Sequence, residues 1–185
     1  MASTRDVRAR HTRADVLATA LRLLDERGLP DLSMRALARE LDVQPSALYW
    51  HFKNKQELLA GVADEILAPV NELPDEADAA KVAAEFRDSM LSVTDGAEVV
   101  VSTVALGLGA DRAYERLRLS LEGMGYERNA AVDLATTLLH YCLGHASHEQ
   151  QRAQALRLGI DLEDSPIAAN TRSFTAGVRR ILRAG

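Results

Sequence analysis

The chain has 185 residues, a formal net charge of −5, and 47% hydrophobic and 26% charged residues. That length holds a sizeable core in one or two domains, and the acidic balance excludes a general coating of polyanions. Only 4% of the residues are aromatic, too few for the stacking platforms of a single-strand nucleic-acid binder.

The N-terminus carries Arg5, Arg8, Arg10 and Arg13. It reads either as a basic arm touching phosphate or minor groove, or as a solvated tail. Residues 1–55 hold ten Lys and Arg against seven Asp and Glu, a net of +3, while the remainder nets −8. A mildly basic head on an acidic remainder suits contact with DNA at one end. The single cysteine, Cys142, excludes an internal disulfide framework and suits a reducing compartment. With no apolar run of membrane-spanning length and no apolar leader, the expected location is cytoplasmic, without a membrane partner.

The first predicted helix runs from about Thr12, a capping residue, to Arg27. Val16, Leu17, Ala20, Leu21 and Leu24 form its stripe, Gly28 stops it, and Pro30 follows. From Leu32 to Lys55 the chain reads LSMRALARELDVQPSALYWHFKNK. Ser33 caps a second helix with Leu37 and Leu41 inward and small Ala38 where another helix crosses. Asp42 tolerates the left-handed backbone of a sharp turn, and Val43 plugs its corner. A third helix starts at Gln44-Pro45-Ser46, since proline suits a first turn. Its Leu48 points inward, leaving Ser46, Ala47, Tyr49, Trp50 and His51 outward or at the edge. A short helix that leads with small residues fits a major groove. Asn54 and Glu57 form a capping-box pattern for the next helix, whose start, with Lys53 and Lys55, suits a phosphate.

That next helix runs from Lys55 toward Ala68 and continues past Pro69, kinked, to Leu73. An acidic, proline-containing segment from Glu72 to Asp78 forms a junction. Further helices are predicted at 78–93, 96–105, 110–123, 128–154 and 165–183. The 128–154 helix carries Val132, Ala135, Leu139, Cys142 and Ala146 on one stripe, with Thr136, His140, Gly144 and Ser147 on a second face. Phe174, Val178 and Ile181 stripe the last helix. Together these suggest a four-helix bundle between two copies. The alternative is packing within one chain.

The segment from Arg35 to Lys55, and especially Leu48-Tyr49-Trp50-His51 with Lys53-Asn54-Lys55, resembles the DNA-binding domain of TetR-type repressors, in their tetracycline-repressor branch. Asp42 departs from the glycine usual in such turns. Asp95-Gly96-Ala97 resembles the start of a later helix in that branch. Gly123 to Tyr126 and the run from Leu138 to Gln150 resemble its dimer-forming region, more thinly. The resemblance implies an all-α fold: a three-helix helix-turn-helix domain over 1–54, and a helical ligand-binding and dimerisation domain over 55–185. It implies a homodimeric repressor that binds a double-stranded DNA operator and is released by a small-molecule effector.

By resemblance, the DNA-facing residues are Arg35, Gln44, Pro45, Ser46, Ala47, Tyr49, Trp50, His51, Lys53 and Lys55. Arg35, Ser46 and Ala47 would meet base edges, the aromatic residues would fix backbone and flanking bases, and Lys55 would clamp phosphate. The branch binds a magnesium-chelated drug through two histidines and an acidic residue. The matching positions here are Val100, His140 and the neighbourhood of His148. Valine cannot ligate Mg²⁺, so neither tetracycline nor the metal carries over, and no cofactor is assigned. The expected liners of a body pocket are Phe86, Met90, Val100, Thr103, Val104, Tyr114, Leu117, Leu138, His140 and Tyr141.

Two other readings stand. One is a DNA-binding dimer that answers to a protein partner or to no ligand. The other is a metal-dependent enzyme using His140, His145 and His148, whose spacing nearly shares one helix face. No nucleophile–base motif or phosphate-binding glycine loop supports catalysis.

Overall fold

Thr12 accepts the Asp15 N–H and Asp15 returns the bond to the Thr12 N–H, a closed capping box that also pulls the Asp15 carboxyl below its ordinary range. It opens α1 (Arg13–Arg27) in a computed structural model that describes residues 11–162 and 168–184. The basic residues Arg5, Arg8 and Arg10 lie outside the described residues, as does the predicted start of the last helix at 165–167. Val16, Leu17, Ala20, Leu23 and Leu24 bury the inner face of α1. Gly28 ends it at φ +79°, a left-handed backbone where a side chain would be strained and a Cβ would press on the Asp95 carboxylate.

Nine further helices follow among the described residues: α2 (Met34–Glu40), α3 (Pro45–Leu48), α4 (Lys55–Ile66), α5 (Ala68–Glu72), α6 (Ala79–Leu91), α7 (Gly96–Ala105), α8 (Asp111–Gly123), α9 (Arg128–Arg157) and α10 (Thr171–Ala184). The fold is all-helical, as the periodicity predicted. The expected proline break is present, with α4 yielding at Leu67 to α5, whose first turn holds Pro69. The last helix begins at Thr171, because Asn170 takes the Ser173 N–H there as a cap. None of the described helices is long and apolar enough to cross a membrane.

One apolar cluster runs from Val16 through the body to Val178. α4 belongs to both ends of it. It packs on α1, where Gly61 lies against Leu17, and on α7. α6, α8 and α9 form the body's centre, with α10 laid across α6 and α9. Cys142 sits inside with no exposed surface, and burial pushes its thiol up to about 12. It is a small apolar residue here.

Head and body also meet through polar groups. Asp95, buried and left-handed at φ +56°, takes the Leu29 N–H at 2.8 Å. Asp25 takes the Thr94 N–H at 3.0 Å. Gln150 of α9 supports the same segment, accepting from Ala97 N–H and donating to the Val93 carbonyl, both at 3.1 Å. Replacing Asp95 by Ala strands the Leu29 N–H and should cost about 1–3 kcal/mol. Asp95→Asn, which keeps an acceptor, should recover most of that in urea unfolding. Equal losses for the two variants would show that the carboxylate's hydrogen bond is not what matters there.

Candidate nucleic-acid interface

Ser33 accepts the Ala36 N–H and starts α2. Met34, Ala36, Leu37 and Ala38 turn inward, so Arg35 and Arg39 are left on the open side. The turn then forms as its residues dictate. Asp42 adopts φ +51° and Val43 N–H returns to the Ala38 carbonyl at 3.0 Å. Val43 packs half-buried at the corner. Gln44 caps α3 and Pro45 occupies its first turn.

α3 is shorter than predicted. It is regular only to Leu48, and Tyr49 to His51 continue as turns with N–H bonds from His51 and Phe52 to the Leu48 carbonyl, each 3.0 Å. Phe52, just beyond, is 1% exposed and lies under the Arg13 guanidinium, 4.8 Å from its ring centre. Leu48 and Phe52, four residues apart, are both buried. Sequence reasoning misses Phe52, although that spacing is its signal.

Gln44, Ser46, Tyr49 and Trp50 are exposed, with Pro45, Ala47 and His51 half-buried beside them. Trp50 is 90% exposed, a large apolar surface left in water by the described residues. Asn54 caps α4 by taking the Glu57 N–H at 2.8 Å. The capping box closes one residue early, because Glu57 takes the Lys53 N–H at 2.8 Å. Lys53 is exposed and Lys55 half-buried at the first turn of α4, where the helix dipole adds positive potential. Arg22 and Arg27, by contrast, are both tied to Glu40, at 2.7 and 3.3 Å. Among the described residues Arg35 makes no such pair.

The body residues fall out differently. Phe86, Met90, Val100, Leu117 and Leu138 have no exposed surface and Thr103 almost none. They form a packed centre, with Val104 at its edge. Tyr114 reaches Thr136 Oγ1 at 3.2 Å, and the Tyr141 phenol donates to the Ser173 carbonyl of α10 at 3.1 Å. His140 does not join this interior: it is exposed, with Gly144, on the outer side of α9, while Thr136 is half-buried against Tyr114. A 3.6-residue period distinguishes two faces of a helix, not which one the chain covers. Two described cavities lie elsewhere. One of about 340 Å³ is lined by Asp25, Val93, Thr94, Glu149, Gln150 and Arg157. The other, about 350 Å³, is lined by Arg13, Asp64, Asn71, Glu72 and Arg112. Among the described residues no three His, Cys, Asp or Glu side chains converge as a metal set. His145 faces inward to Phe174 while His140 faces outward.

Residues 16–62 match the family of bacterial regulatory proteins called the tetR family, and residues 72–176 match the tetracyclin repressor-like C-terminal domain. The chain belongs to the TetR family. This TetR-family regulator is 33% identical over 155 residues to the tetracycline repressor protein class D of Escherichia coli, covering 80% of this chain and 71% of that one. It superposes on BioQ with its double-stranded DNA operator at a TM-score of 0.76 and 36% identity, over 94% of this chain and 97% of that one. It also superposes on a single-site variant of TetR from Acinetobacter baumannii AYE in complex with minocycline, at 0.74 and 29%, over 94% and 96%.

Trp50 is the only tryptophan, so this surface has a built-in reporter. The emission of this TetR-family regulator should be that of a solvated indole, freely quenched by iodide. Duplex DNA carrying its binding site should protect it. Quenching unchanged by saturating DNA would place Trp50 outside the interface.

Proposed function

We propose that this TetR-family transcriptional repressor acts as a homodimer on a palindromic operator and is released by a small, largely apolar effector. The observation that carries the reading is the open face of α2 and α3. Arg35, Gln44, Ser46, Tyr49 and Trp50 stand in water there while Leu37, Leu48 and Phe52 are sealed beneath them. Arg35, Ser46 and Ala47 contact base edges, with Gln44 and Pro45 at the leading end of α3. Tyr49, Trp50 and His51 hold backbone and flanking bases, and Lys53 and Lys55 hold phosphate.

One head reads only a few base pairs, whereas a two-fold dimer reads two half-sites about 34–36 Å apart or a multiple of that. Phe174 and Val178 are spent inside their own chain, so the contact between copies uses the outer side of α9, at His140 and Gly144. That side is free for close approach: a Cβ built on Gly144 would meet nothing within 4 Å.

Two observations support the effector reading: the operator-bound and minocycline-bound relatives share this fold. Val100 offers no lone pair to a cation, so the effector binds without Mg²⁺. The sealed packing of Phe86, Met90, Val100, Leu117 and Leu138 favours the second reading, in which a protein partner or nothing takes the effector's place. An effector can shift DNA binding only through its differential affinity for the two states, and the coupling is reciprocal.

On an operator selected from random duplexes, Arg35→Ala should cost about 1–3 kcal/mol and relax choice at one base position. Lys55→Ala should weaken all sequences alike and lower the salt slope by about one. Equal losses on operator and random DNA for Arg35→Ala would remove its base-reading role.

Sedimentation of the operator complex should give two chains per duplex. Calorimetry with apolar candidates should show binding that survives a chelator and weakens when operator is present. One chain per duplex would end the dimer reading. Affinity indifferent to operator would end the switch and leave the effector-free reading.

A further inference from the structure

Three helices meet at a buried polar cluster that the DNA-facing surface does not use. Arg87 of α6 has a side chain only 7% exposed. Its Nη2 donates to both Glu149 oxygens, at 2.6 and 2.7 Å, and to Thr171 Oγ1 of α10 at 3.0 Å. It also pairs with Asp88 and lies 5.5 Å from the Phe174 ring centre. Beside it, the side chain of His145 on α9 is 8% exposed. Its ring meets Phe174 edge-on at 5.1 Å and Tyr141 at 5.6 Å. Tyr141 in turn sits against Gly177, whose missing Cβ leaves room for the phenol.

Ser173 of α10 meets the ring at one nitrogen. Its Oγ donates to the Asn170 carbonyl at 2.9 Å, accepts the Asn170 N–H, and lies 3.1 Å from His145 Nε2. His145 Nδ1 is buried without a hydrogen-bond partner, 3.6 Å from Glu149 Oε2 of the same helix. The docked arrangement of α10 buries the ring, and burial disfavours its charged form.

We propose that His145 makes α10 an acid-released latch, in which proton uptake by the ring favours a state with the first turns of α10 lifted from α9. Every element packed on the ring bears on the charge. α6 presents Arg87, with Asp88 on its far side. α9 presents Tyr141, His148 and Glu149. α10 presents Thr171 and Ser173, with Arg180 acting on Tyr141. Burial opposes the proton first. Glu149 favours it, and Arg87 and His148 oppose it, so the ring's affinity lies below the ordinary histidine value. Lifting α10 returns the ring to water and to that ordinary value. By linkage, docking is complete above about pH 6.5 and is lost progressively as the pH falls from there toward the docked value. Release bares Phe174 and Val178, each 2% exposed when docked. None of this depends on the operator reading.

The test is amide hydrogen exchange on the full chain between about pH 7.5 and 5.5, corrected for intrinsic rates, with an NMR titration of the histidine ring protons. Protection over 171–184 should fall on acidification, by up to about tenfold for each unit by which docking lowers the ring's affinity. His145→Gln should abolish that pH dependence, while His148→Gln should keep it. His145 should titrate below the ordinary histidine value. Constant protection in the wild type would overturn the latch, as would a pH response surviving in His145→Gln. If His145→Gln does not fold, the wild-type titration decides: a midpoint at or above the ordinary histidine value overturns the proposal.

Discussion

The Asp95 carboxylate, on the residue that precedes α7, holds the Leu29 N–H of the helix-turn-helix head. An N–H bonded to an ionised oxygen is short and directional, so the α1–α2 corner has little freedom where Leu29 meets it. The neighbouring bond from Thr94 to Asp25 and the Gln150 side chain behind Ala97 extend the same constraint into α9. The pitch of α2 and α3 relative to the body is set at this seam and by α4, whose Gly61 side rests on α1. A change in the body reaches the head through contacts that are few, polar and local, and such contacts tend to have discrete arrangements rather than a continuum.

The features legible in the sequence are the ones decided within a few residues. Thr12, Ser33, the left-handed Asp42, Gln44-Pro45, the break before Pro69 and the stop at Gly28 all follow from local backbone chemistry, and each stands where expected. What the sequence did not settle depends on partners distant in the chain. Phe52 is covered by Arg13, which lies in another helix. Glu57 takes the Lys53 N–H in place of the Asn54 N–H that a capping box would use. The stripe on α10 turns toward its own chain because Arg87 and Tyr141 meet it there. His140 and Val132 lie outward for the complementary reason: α6 and α8 occupy the other side of α9.

Charge is arranged by the same division. The arginines of α1 that face α2 are neutralised by Glu40, stitching the head together, and at such exposure they contribute little to stability. Arg35 stays on the open side, and among the described residues Lys53 meets the Glu57 carboxylate, at 3.7 Å. Exposed cations therefore stand on the head while the chain as a whole is acidic.

The lone thiol has a practical consequence. Cys142 is sealed beneath α6 and protonated far above neutral pH, and only the thiolate is nucleophilic. A cysteine introduced at Arg172 or another exposed position would be the single reactive sulfur of the folded chain. A spin or dye label attached there would report on its surroundings with the native residue left in place.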